Sequence, residues 1–221
     1  MRNAEKDELE MRERQERMLE EGFRLFSKRS IEPVSMQEVA AAAGIGIATL
    51  YRYFNTKLVF VIAIGTRKWE EYVEYIRLLR EKRNHTAMTA AQSLEFYLDC
   101  YIDLYKNHKD LLRFNQNFNN YVQHEGATAE QLRPYLASIS SFGQFFHELY
   151  EKGKRDGTIR TELPEEKMFA ATSHIMLAVA VRYAQGLLFA SESEADRTGE
   201  YEMLKRMILR EYVTDRQAQD P

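Results

Sequence analysis

GIGIATLYRYF, residues 44–54, admits three readings: a glycine loop around a phosphate, a β-strand, or a helix that presents one face. Spacing argues against the loop. Gly44-x-Gly46 has no third glycine at 49, no strand before it, and no Gly-Lys-Ser/Thr after it. A strand over 47–54 would be one extended element among segments that all read as helix, a local conflict that foldable sequences avoid. The helix reading accounts for the residues on both sides.

Upstream, Ser35-Met36-Gln37-Glu38 has the form of a capping box. The Ser35 hydroxyl can accept from the Glu38 amide while the Glu38 carboxylate takes the Ser35 amide. This predicts a short helix over 35–43, closed at Gly44, where a left-handed backbone suits glycine. A second short helix is predicted over 47–53, so the pair forms a helix-turn-helix. Val39, Ile45, Leu50 and Phe54 supply its buried side. Ile47, Ala48, Thr49, Tyr51, Arg52 and Tyr53 are left to face outward. Two exposed tyrosines suit a nucleic-acid surface, where hydroxyls reach phosphate oxygens. Lys57, at the start of the next helix, places a cation beside free backbone amides.

Beyond this core the pattern stays helical. Residues 4–29 form a helix whose second half is amphipathic through Leu19, Gly22, Phe23 and Phe26. Leu58–Gly65 looks strand-like, but Leu58, Ile62, Gly65, Trp69, Tyr72, Ile76 and Leu79 recur at alternating intervals of four and three, so one helix is predicted over 56–83. Further helices are predicted over 87–106, 109–122, 130–155, 164–190 and 197–213, with a polar tail from Thr214. The chain is therefore expected to be all-α: a three-helix N-terminal domain with the helix-turn-helix, 1–57, then a larger helical bundle, 58–221.

Composition narrows the function. With 31 Lys and Arg against 34 Asp and Glu, the net charge of −3 leaves any nucleic-acid binding to a local patch. Residues 22–57 carry Arg24, Lys28, Arg29, Arg52 and Lys57 against Glu32 and Glu38, a modest excess of positive charge. The single cysteine, Cys100, cannot form an internal disulfide, which fits a reducing, cytoplasmic setting. No secretory leader and no membrane span are read. The histidines form no Glu-x-x-His pair, and His147-Glu148 lacks a second histidine because position 151 is Glu. No nucleophile signature is present either, so neither catalysis nor a metal or other cofactor is expected. The rival to a DNA-binding function is a helical adaptor that uses the same surfaces for protein contacts.

Residues 12–58 resemble the DNA-binding domain of the TetR family of transcriptional regulators. The likeness rests on Phe23 and Phe26, Val39-Ala40, Ala43-Gly44-Ile45, and Thr49-Leu50-Tyr51-x-Tyr53-Phe54-x-x-Lys57. The chain departs from the family at Gly46, often Ser, and at Leu58, usually Glu. The resemblance implies a homodimer on a near-palindromic double-stranded operator, commonly as a repressor, with each recognition helix in a major groove. On that reading Thr49, Tyr51, Tyr53 and Lys57 hold phosphates, and Ser35 adds another contact. Gln37 and Arg52 read base edges, while Ile47 and Ala48 meet thymine methyls. The apolar faces of helices 164–190 and 197–213 would pair with a second copy. A small-molecule effector is expected among aromatic residues: Tyr97, Tyr101 and Tyr105 on one helical face, Phe114 and Phe118 on the next helix, and His147 beside Phe142, Phe145 and Phe146.

Overall fold

A computed structural model describes residues 4–186 and 197–214. Its helices are α1 (Ala4–Arg29), α2 (Met36–Ala42), α3 (Ile47–Tyr53), α4 (Lys57–Lys82), α5 (Ala90–Asn107), α6 (Lys109–His124), α7 (Ala129–Asp156), α8 (Glu165–Gln185) and α9 (Thr198–Tyr212). The all-α expectation holds, and helix ends fall within a few residues of those read from sequence. Two short elements escaped that reading: a 3-10 turn at His85–Ala87 and an isolated antiparallel bridge between Ile159 and Val213. The end of the predicted helix 164–190 and the tail beyond Thr214 lie outside the described residues.

Packing groups the chain into two units that are not consecutive in sequence. One comprises Met1–Glu71 with Arg113–Ser138, the other Tyr72–Leu112 with Ile139–Pro221.

In the first unit, glycine permits the close approach of α1 to α4. A Cβ on Gly22 would stand 2.6 Å from the Phe60 ring and 2.7 Å from Ile64. Gly65 does the same one face further round, where a Cβ would come within 3.1 Å of both Phe118 and Tyr135. Phe23 packs on Phe114, and Phe118 stacks on Tyr135 with centroids 4.3 Å apart. A polar contact is threaded through this apolar core. Asn115 Oδ1 accepts from the Trp69 indole at 3.3 Å and from the Tyr135 hydroxyl at 2.9 Å, so the buried amide oxygen is satisfied twice.

In the second unit α5 packs on α8 and α9. Tyr201 is fully buried and donates its hydroxyl to the Met176 carbonyl. Lys205 reaches from α9 to Asp99 and Glu95 of α5, which compensates its burial with two carboxylates.

Candidate nucleic-acid interface and buried cavity

The turn between α2 and α3 is built by local chemistry. The capping box forms as read: Glu38 N–H donates to Ser35 Oγ at 3.2 Å, and Ser35 N–H donates to Glu38 Oε2 at 2.8 Å. Arg29 adds a bond from the end of α1 to Glu38 Oε1 at 2.8 Å. The Ser35 amide and then the Arg29 guanidinium hold the Glu38 carboxyl down at about 2, so it is charged at any physiological pH. At the other end, Gly44 has φ +67°. Gly44 N–H donates to Ala41 O, and Ile45 N–H donates to Ala40 O, the paired hydrogen bonds of a Schellman cap. Gly46 then serves as the N-cap of α3 with ordinary extended angles and no side-chain cap.

This places α3 as read from sequence, with one adjustment. Leu50 and Phe54 are buried beneath it and Val39 is buried in α2, but Ile45 is only half-buried. Ala48, Tyr51 and Arg52 are exposed, with 41% of Tyr51 accessible, while Ile47, Thr49 and Tyr53 are partly so. Ser35 and Gln37 are exposed at the start of α2. The Ser35 hydroxyl is engaged with Glu38, both accepting from its amide and donating to its carboxylate.

Lys57 stands differently from its neighbours. Its ammonium donates to the Ile31 carbonyl at 2.6 Å and the Glu32 carbonyl at 3.1 Å, and lies within 6 Å of the Phe26 and Tyr121 ring centroids. Burial lowers its pKa. The charge read from sequence as a phosphate ligand is occupied in tying the 30–35 loop to the first turn of α4.

The aromatic residues read as an effector site separate into different environments. Tyr97 and Tyr101 line a cavity in the second unit, together with Tyr72 and Ile76 of α4, Phe142, Phe145 and Phe146 of α7, and Phe169, Thr172 and Ser173 of α8. Tyr105 does not line it. It packs edge-on against Tyr183 and Tyr201, and its hydroxyl accepts from the Arg197 amide at 3.2 Å. Phe114 and Phe118 are core residues of the first unit. His147 is exposed, with Nδ1 3.0 Å from Glu165 Oε1; Glu151 is nearby, but Lys154 holds it at 2.6 Å. The i, i+4 spacing correctly put Tyr97 and Tyr101 on one face, but it could not say where that face ended. Tyr72 and Ile76 were legible only as members of an apolar stripe.

Among the described residues no single helix is long and apolar enough to cross a membrane. Residues 18–64 match the pattern of bacterial regulatory proteins of the tetR family. An HTH-type transcriptional regulator of Staphylococcus aureus strain MRSA252 is 25% identical over 162 residues, covering 73% of this chain and 79% of that protein. Two solved structures share the fold. A putative transcriptional regulator from Saccharomonospora viridis in complex with choline has a TM-score of 0.72 at 17% identity, over 91% of this chain and 98% of that one. The regulator FadR from Bacillus subtilis in complex with stearoyl-CoA has a TM-score of 0.68 at 13% identity, over 87% and 96%.

Proposed function

We propose that this chain, whose residues 18–64 match the tetR family pattern, is a DNA-binding transcriptional regulator of that family, acting in the cytoplasm as a homodimeric repressor of a near-palindromic operator and released by a small molecule. The observation that carries the DNA reading is the division of α3, anchored by Leu50 and Phe54 while Ala48, Tyr51 and Arg52 stand exposed. A seven-residue helix held so firmly from beneath is suited to entering a major groove. Arg52 and Gln37 read base edges, and Ile47 and Ala48 meet thymine methyls. Thr49, Tyr51 and Tyr53 bond phosphates, and Ser35 lies at the same backbone. Lys57 acts chiefly by holding the 30–35 loop in place, so that the Ser35 end of α2 is correctly set.

The second copy docks through α8 and α9. Ile175, Met203 and Met207 are about half exposed there, at 45%, 52% and 58%. Burying them against their symmetry equivalents makes a four-helix contact. On this reading 1–57 reads DNA and 58–221 senses and dimerises. The effector occupies the cavity beside Tyr97 and Tyr101, and two relatives of the same fold hold choline and stearoyl-CoA. α4 carries both Tyr72 of that cavity and Lys57, so a shift of its cavity end displaces the reading head.

Selection of bound sequences from random duplex DNA tests the proposal. Enrichment of two inverted half-sites about one helical turn apart is expected. Arg52→Ala and Gln37→Ala should each relax base preference by about 1–3 kcal/mol. Failure to enrich any sequence, or enrichment of one unpaired half-site, would overturn it.

A further inference from the structure

We infer that the second-unit cavity takes an uncharged, compact ring compound bearing one polar oxygen, held between the hydroxyls of Tyr97 and Thr172. The regulatory meaning of this inference rests on the effector reading above; its chemistry rests on the cavity alone.

Charge is the first argument. None of the cavity's lining residues is ionisable at neutral pH in a way that leaves it charged. Burial pushes the Cys100 thiol up to about 12, so it too is neutral. The Arg80 guanidinium lies 4.6 Å from the Phe145 ring centroid, but it is already bonded to Glu148. A carboxylate or an ammonium entering here would surrender its hydration without a free counter-charge, which is far more costly than burying a neutral polar atom.

The hydroxyls are the second argument. Tyr72 donates to the Cys100 carbonyl at 2.6 Å, and Tyr101 is bonded to Ser173. Two side-chain oxygens of the lining are left. Thr172 is 5% exposed and its Oγ1 has no hydrogen-bond partner among the described residues; the buried Tyr97 hydroxyl has none either. Buried groups of this kind are almost always satisfied. They come from α5 and α8, and a ligand oxygen between them can accept from one and, as a hydroxyl, donate to the other. The remaining wall is rings and aliphatic carbon, which suits a ring face or edge.

Size is the third. The cavity measures about 40 Å³, whereas a dry protein cavity that accepts benzene measures about 150 Å³. A single ring can enter only by spreading the helices that carry Tyr97 and Thr172. A compact ligand therefore acts as a wedge, and a long flexible chain is disfavoured because it would force the helices apart further than a single ring does.

The experiment uses full-length protein and four ligands that share one ring: 4-methylphenol, p-xylene, 4-methylbenzoate and 4-methylphenyl-trimethylammonium. Binding is measured by calorimetry at neutral pH, and operator affinity is measured separately. We expect 4-methylphenol to bind about tenfold more tightly than p-xylene, and both ions more weakly than p-xylene. Tyr97→Phe and Thr172→Val should each lower 4-methylphenol affinity about five- to tenfold and leave p-xylene unchanged, with Thr172→Ser restoring it. Helical content and melting of every variant establish that it folds, and the Thr172→Ser variant keeps the test alive if Thr172→Val does not. Tighter binding of either ion, insensitivity to both hydroxyl deletions, or no binding of any neutral ring would overturn the inference. Hydroxyl-dependent binding of 4-methylphenol with unchanged operator affinity would uphold the ligand class and sink the release mechanism instead.

Discussion

Gly44 and Gly46 stand two residues apart in the same turn, yet substitutions at them should have opposite effects. Neither position is crowded: a Cβ on either would meet nothing within 4 Å. Only the backbone differs. Gly44 has φ +67°, where an L side chain is strained by roughly 1–2 kcal/mol. Gly44→Ala should therefore lose about 1 kcal/mol after the unfolded chain's reduced freedom is counted. Gly46 has φ −72° and ψ 143°, angles that any residue adopts, and no side chain caps α3. Gly46→Ser should gain about 0.5–1 kcal/mol, partly from reduced unfolded-state entropy and partly from a new cap. The two variants should thus differ by about 2 kcal/mol, or several degrees in melting temperature for a chain of this size. Urea and thermal melts followed by circular dichroism read this directly, and Gly44→Asn should recover much of the loss because asparagine tolerates the left-handed region. A Gly44→Ala variant as stable as the parent, or a Gly46→Ser variant less stable by 0.5 kcal/mol or more (roughly the lower end of the expected gain), would refute the account of the turn.

Lys57→Met should destabilise the protein by about 1–3 kcal/mol, because two carbonyl contacts of a charged donor are lost. If its role is to hold the loop, the slope of operator affinity against salt will stay constant; a lost phosphate contact would lower that slope by about 0.9. Gly22→Ala should cost about 1–3 kcal/mol, since the new methyl group meets the buried Phe60 ring and Ile64, and a stability equal to the parent's would refute the close approach. His85 is buried against Phe96 and Tyr97, and desolvation, aided by Arg80 and Lys152, lowers its pKa from 6.5 to about 4. The unfolded chain then takes up the proton first, so this stabilisation is complete above about pH 6.5 and is lost as pH falls towards 4. Between pH 7 and 5 the loss should reach about 2 kcal/mol, and chemical denaturation of His85→Phe should be flatter over that window.

The helix-turn-helix was legible because its signals are local. Ser35 and Glu38 cap each other across three residues, Gly44 marks a positive φ, and Leu50 and Phe54 share a face by spacing alone. What escaped the sequence depends on distant partners. Nothing near Lys57 in the chain announces that Ile31 and Glu32 present carbonyls to it from 26 and 25 residues upstream. The aromatic periodicity of α5 could not reveal that Tyr105 turns to Tyr201 while Tyr97 and Tyr101 face a cavity. Phe114 and Phe118 show the same limit: a ring at helical spacing is equally suited to a core and to a pocket, and only tertiary packing decides between them.

Trp69 is the chain's single tryptophan, and it sits buried in the first unit with its indole bonded to Asn115. Intrinsic tryptophan emission is therefore a private optical reporter of the unit that contains α3. Circular dichroism sums over every helix. Where the two probes trace coincident denaturation curves, the units melt as one cooperative body; where emission reddens first, the half carrying α3 has come apart alone.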